Sequence, residues 1–245
     1  MVLIFFLLTC FFSLFGVDLI FNTQDFPPFT YQIDGKNEGP AVDIINSVCK
    51  EAGLTCTIQL LPWGRAQEEV KTGKAQALFL IGWNKERGET MNFSPPLLNT
   101  EYGIFVTDDN PLIYSSPEQL KGYTIGVYGP SNTSKSLEEL KTKVTDISID
   151  MTPDDESAFK KLGMKRLKAV YSNKHVGNAM IKKLGLNNIK YVGADKKLKY
   201  YIGFSKQYTD KALFDKFVAA FKALYNKGEI QKILTQHQMD AAKLE

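Results

Sequence analysis

Histidine is scarce in this chain: His175 and His237 are the only two, and they stand far apart. Cysteine is scarce as well, with only Cys10, Cys49 and Cys56. No Cys/His cluster has the spacing of a zinc site, so no metal or other cofactor is expected. A Ser-His-Asp or Cys-His nucleophile arrangement starts with little material. An excess of one charge is also missing. The 30 lysines and arginines stand against 27 aspartates and glutamates, a net charge of +3 scattered along the chain. That balance lacks the basic stripe of a nucleic-acid partner. Internal repeats and low-complexity runs are absent, which excludes solenoids and propellers.

What is present is material for one large or two small units. The 245 residues, 44% hydrophobic and 23% charged, are enough to bury a sizeable core. Residues 2–15, VLIFFLLTCFFSLF, carry no charge and have the length of a signal-peptide core rather than of a membrane span. Residues 1–17 are therefore expected to be a signal peptide, with export to the periplasm. Export makes Cys49 and Cys56 legible. In SVCKEAGLTCTI a helix should end at Gly53 and a strand begin, and an oxidising compartment favours a disulfide between the two. Two buried free thiols are the alternative.

The rest alternates strand and helix. VDLIFNT (17–23), CTIQLLP (56–62), AQALFLIG (75–82) and YGIFVT (102–107) read as strands, with helices over 41–53 and 64–74. A second unit follows, with strands at 123–128, 147–150, 167–172 and 189–193 and helices between them. A strand over 199–206 and two helices over 211–237, split at Gly228, return to the first unit. The class is α/β with two lobes, each a mostly parallel sheet flanked by helices. Lobe 1 is expected at 18–105 and 201–245, and lobe 2 at 106–200. Two crossings, near 104–108 and 197–203, make a hinge with a cleft between the lobes. In such sheets ligands bind beyond the carboxyl ends of the strands.

The segments FPPFTYQIDGKNEGPAVDII, LPWGRAQEEVKTGKAQALF, Arg87 with FSPPL, LKGYTIGVYGPSNTS, LKAVYSNKHV, YYIGFSK and KGEIQKIL occur in one order. In that order the chain resembles a periplasmic solute-binding protein of the polar amino-acid-binding family, family 3, with the type II binding-protein fold. The resemblance covers essentially the whole mature chain. It implies that Arg87 grips the α-carboxylate of the ligand, and a guanidinium fork suits that task. A surface ion pair with Glu86 or Glu89 is the alternative. Asn84 stands where the family usually has threonine. Gly82 stands where a hydroxyl residue is usual and offers only backbone groups.

The resemblance further implies that Phe26 and Trp63 sandwich the ligand side chain. Arg65 is either a second anion contact or a surface charge. Ser131, with Asn132 beside it, matches the hydroxyl donor of the second lobe, at a helix start that favours an anion. A helix-capping cluster is the compatible alternative. Asn173 stands where the family places the aspartate that pairs with the ligand's ammonium, and it brings no charge. Asp25, Glu101 and Asp155 are the carboxylates that remain to replace it.

The function this resemblance implies is capture of a small polar, carboxylate-bearing solute by closure of two lobes. No bond is made or broken. A monomer is expected, handing its ligand to an ABC permease or reporting it to a signalling receptor. The alternative of a cleft enzyme, a dehydratase of cyclic acids, needs a general acid with a raised pKa. Only Glu101 and Asp155 offer themselves for that role.

Overall fold

The computed structural model describes residues 19–244, so the expected signal peptide lies outside the described residues. Strand β1 (Leu19–Thr23) buries Leu19, Phe21, Asn22 and Thr23. A short hairpin follows, β2 (Tyr31–Ile33) with β3 (Lys36–Glu38). Helix α1 (Pro40–Ala52) starts at a proline, which has no N–H to leave unpaired at a first helical position. It buries Ala41, Ile44, Ile45, Val48 and Ala52, the spacing of one helical face. It ends where Gly53 takes a left-handed φ of 59°.

Beyond that turn, Cys56 opens β4 (Cys56–Leu60) and is disulfide-bonded to Cys49 of α1. The bridge closes a short loop, and such a closure stabilises by about 2 kcal/mol. Replacing both cysteines by alanine is therefore expected to lower Tm by roughly 4–8 °C in calorimetry while ligand affinity stays the same. An unchanged Tm would show that the link contributes nothing.

Helix α2 (Trp63–Lys71) leads to β5 (Ala77–Ile81), every residue of which is buried, as befits a central strand with a neighbour on each side. Helix α3 (Lys85–Thr90) and the short β6 (Met91–Phe93) precede β7 (Leu98–Thr107). The second unit holds β8 (Thr124–Tyr128), α4 (Asn132–Lys141), β9 (Ser148–Thr152), α5 (Asp155–Gly163), β10 (Ala169–Asn173) and α6 (Lys174–Leu184). Strand β11 (Ile189–Ser205) is followed by α7 (Lys211–Asn226) and α8 (Glu229–Gln236), parted at Gly228 with φ 75°.

The strands lie in the order β4-β1-β5-β11-β7-β10-β8-β9, with β6 paired to β11. Strand β1 is parallel to β4 and β5, and β8 is parallel to β9 and β10. Between these two parallel sets runs an antiparallel ribbon of β7 and β11. Strand β11 also pairs with β5, and β7 with β10, so the ribbon belongs to both sets. Helix α7 packs back on the first set, with Phe217 at 5.4 Å from Phe21 and 5.2 Å from Phe204 between ring centroids. A separate apolar cluster under the second set holds Ile104, Val106, Ile125, Val127, Leu137 and Tyr171.

One expectation is corrected. The sequence reads as two strands, 189–193 and 199–206, with a polar stretch between them. The structure has a single strand of 17 residues through that stretch. Residues such as Ala194, Lys196 and Leu198 pair across with Gly103, Tyr102 and Thr100 of β7. Register shifts at Tyr191/Gly193 and Ala194/Lys196 absorb the irregularity. Local composition cannot show this, because the stabilising partner lies elsewhere in the chain.

Candidate functional site

A cavity of about 70 Å3 lies where the two parallel sets meet the ribbon. Its walls come from the carboxyl ends of β1, β5, β8 and β10, from the first turns of α2, α4 and α5, and from the ribbon itself. Arg87, Trp63, Phe26, Ser131, Asn132, Asn173 and Gly82 all line it. Arg65 does not. Its guanidinium pairs with Glu69 at 2.9 Å and its side chain is 66% exposed, the geometry of a helix-surface pair one turn apart.

The position of Arg87 follows from its neighbours. Asn84 caps α3, its Oδ1 accepting from the Arg87 backbone N–H at 2.8 Å, so the arginine leaves the helix in its first turn. The Nη1 group donates to the Gly82 carbonyl at 2.9 Å, and the guanidinium stands 6.0 Å from the Trp63 ring centroid. Leu80, just before, holds a left-handed φ of 60°, a strained conformation for a residue with a side chain. Arg87 makes no ion pair among the described residues, and the neighbouring Glu86 and Glu89 are exposed. Burial pushes the guanidinium pKa down from its usual value, against the opposing influence of Tyr102, Glu86 and Tyr200.

The floor is made of tyrosines that the sequence reading did not single out. Tyr102 of β7 and Tyr200 of β11 are 4% and 3% exposed and both belong to the ribbon. The Tyr102 hydroxyl is within reach of the Thr133 and Tyr200 hydroxyls. Burial holds both phenols above the usual range. Phe26 closes one end, with its ring 5.3 Å from Phe29 and 6.2 Å from Tyr200. Aromatic residues in strands read as core from sequence alone, and their hydroxyls become a lining only because two strands cross here.

Two residues expected to face a ligand are already committed. The Ser131 hydroxyl donates to the Tyr128 carbonyl at 2.7 Å and accepts from the Ser134 N–H at 3.1 Å, which caps α4. The neighbouring Asn132 and Thr133, in the first turn of that helix, are the wall residues beside it. Asn173 is equally occupied. Its Oδ1 caps α6 by accepting from the N–H groups of His175 and Val176 at 2.9 and 3.3 Å. Its Nδ2 donates to the Thr100 hydroxyl at 2.6 Å and the Tyr200 hydroxyl at 3.2 Å.

The three spare carboxylates separate cleanly. Glu101 sits behind the ribbon, ion-paired with Lys174 at 3.0 Å and accepting from the Tyr191 hydroxyl at 3.0 Å. Asp25 is exposed and lines an outer cavity beside Lys183. Asp155, in the first turn of α5, lines the inner cavity with Arg87. Ser172 donates to its Oδ1 at 2.8 Å. Burial raises its carboxyl pKa to about 6.

A small cavity where two parallel strand sets meet, walled by strand ends and helix starts and carrying a few convergent polar groups, is the geometry of a ligand-binding site. The bacterial extracellular solute-binding proteins, family 3, match residues 19–239, and the chain belongs to that family. Its members bind solutes and are not enzymes. A probable amino-acid-binding protein of Bacillus subtilis strain 168, YxeM, is 32% identical over 160 residues, 65% of this chain and 60% of that protein. The arginine-binding periplasmic protein of Mannheimia haemolytica is 24% identical over 226 residues, covering 88% of this chain and 89% of that protein. Among solved structures, a histidine kinase sensor domain with similarity to periplasmic binding proteins superposes with a TM-score of 0.79 at 21% identity, over 91% of this chain and 96% of that one. That likeness shows the two-lobed fold.

Proposed function

We propose that the cleft captures a small polar solute bearing a carboxylate, an amino acid or a related compound, and that Arg87 receives the carboxylate. The observation that carries this reading is a half-buried guanidinium in the cavity wall that makes no ion pair among the described residues. Leaving such a charge unpaired costs several kcal/mol, and a ligand carboxylate offers the two acceptors its fork requires. The first turn of α4 faces the same space and adds backbone N–H groups. Trp63 and Phe26 present flat apolar faces for the rest of the ligand.

Closure follows from the ribbon. Lobe 1, residues 18–105 and 201–245, and lobe 2, residues 106–200, turn about β7 and β11, and a ligand held by both favours the closed form by its differential affinity. The protein acts as a monomer in the periplasm, and an ABC permease reads the closed shape.

The test is a thermal-shift screen of protein unfolded and refolded to remove any bound ligand. The panel holds common amino acids, dicarboxylates, aromatic acids and polyamines. A ligand at about 100 times its Kd adds roughly 2.7 kcal/mol, a rise of roughly 5–10 °C. At least one carboxylate is expected to produce it. A screen in which polyamines alone shift the protein would sink the Arg87 assignment.

A further inference from the structure

We propose that Asp155 takes the ligand's ammonium group in place of Asn173, so that the cleft selects a compound carrying both a carboxylate and an amine. The proposal rests on the role given to Arg87 and deepens it. Two unpaired charges of opposite sign line one cavity: the Arg87 guanidinium on the first unit and the Asp155 carboxylate on the second. No lysine or arginine pairs with Asp155 among the described residues, and its one hydrogen bond given by a side chain comes from a neutral hydroxyl, that of Ser172. The residue keeps part of its surface toward solvent, yet its carboxylate is deeply enclosed.

The flanking acids show what an employed carboxylate looks like on the same helix. Asp154 caps α5 by accepting from the Ser157 N–H at 2.6 Å. Glu156 is held by Lys160 at 2.6 Å and Lys183 at 3.0 Å. Asp155, between them, has neither a capping duty nor a cation. Burying a carboxylate without a cation is costly, and a site retains such a group when something else supplies the positive charge.

Asn173 is poorly placed to do this work itself. Its oxygen already accepts two backbone N–H groups of α6, and its amide nitrogen is spent on Thr100 and Tyr200. Asn173 and Asp155 are nonetheless joined through one strand end, because Ser172, the residue before Asn173, is the one that orients Asp155. The negative charge of this wall thus stands at the helix start that adjoins the tip of β10. Tyr128, also on that wall, lies beside the carboxylate, which together with burial holds its phenol neutral as a donor.

The experiment uses matched triplets: a common L-amino acid, the acid lacking its α-amino group, and the amine lacking its carboxylate. Each is titrated calorimetrically into the wild-type protein and into Asp155→Asn, Glu101→Gln, Asp25→Asn and Arg87→Met. The expected result is that at least one amino acid binds the wild type and neither of its truncated partners does so within about a hundredfold. Asp155→Asn should remove most of that preference over the deaminated acid, while Glu101→Gln and Asp25→Asn keep it.

A deaminated acid that binds as well as its amino acid, and still needs Arg87, would overturn the role of Asp155 and leave that of Arg87 standing. An amine that binds through Asp155 without needing Arg87 would do the reverse. If no triplet binds, both fail. The wild-type comparison between triplet members stands even if a variant does not fold.

Discussion

Replacing Arg87 by methionine is expected to weaken binding of a carboxylate ligand by roughly two to three orders of magnitude while the fold persists. Truncating one partner of a buried, hydrogen-bonded charge pair costs about 2–5 kcal/mol. Methionine keeps a flexible apolar stem near the Trp63 ring and removes only the fork. In the ligand-free protein two effects oppose each other. The substitution relieves a buried charge without a carboxylate partner, and it leaves the Gly82 carbonyl without its donor. Ligand-free stability should therefore change by no more than about 1 kcal/mol. A purely structural arginine would behave otherwise, with a fall in Tm of many degrees accompanying any loss of affinity. Calorimetric unfolding beside isothermal titration separates the two cases. Arg87→Lys should fall between wild type and methionine, because it keeps the charge and loses the planar fork.

Asp155 produces the second large effect, and it is read as a pH dependence. Its carboxyl pKa rises from 3.8 to about 6, chiefly through burial, with the charge of Asp154 adding and the Ser172 hydrogen bond opposing. Between those two values the folded, ligand-free protein holds more protons at this site than the unfolded chain. Its contribution to stability therefore falls as pH rises through the window, by something on the order of 3 kcal/mol, and stays at the lower level above about 6. Asp155→Asn removes that penalty, so the ligand-free variant should melt several degrees above wild type at pH 7 and lack this slope.

Ligand binding runs the other way. An ammonium needs the ionised carboxylate, so affinity should hold above about pH 6 and fall by about tenfold per unit below it, and Asp155→Asn should flatten that profile. The other charged groups around the site do not mimic this. Glu156 is held at about 2 by Lys160 and Lys183. Asp25, also raised by burial, stands at the outer cavity rather than on the inner wall. Arg87, Tyr102, Tyr128 and Tyr200 keep one charge state across the window. His175 lies behind the ribbon with its pKa pushed down by burial, and its slope has the opposite sign because its folded form binds fewer protons. The difference between wild type and Asp155→Asn isolates the carboxylate. A wild-type affinity that stays flat from pH 7 to 5 would show that no ammonium is read there.

The order of strands and helices was legible because each carries its own period and its own stop. Helix α1 could be drawn from its apolar face and closed at Gly53, and the break between α7 and α8 from Gly228 alone. Arg87, Trp63 and Phe26, which all line the cavity, were legible as a set only through the family resemblance. The hairpin of β2 and β3, helix α3 and the continuous β11 were not, since the first two are too short to show a period and the last depends on β7.

The chain by itself determined its α/β class and the Cys49–Cys56 pairing as the favoured outcome of export, and it left Arg87 open between a surface ion pair and a ligand contact. Only the tertiary structure decided which side chains share the cavity. Ser131 and Asn173 line the cavity, and each also caps a helix, α4 and α6 respectively. Of the three candidate carboxylates only Asp155 reaches the inner wall, and Tyr102 and Tyr200, which nothing in the sequence singled out, line it too. The physical reason is that a hydrogen-bonding group has a small, fixed capacity. Sequence shows that the group exists, whereas the fold shows which partner reaches it first.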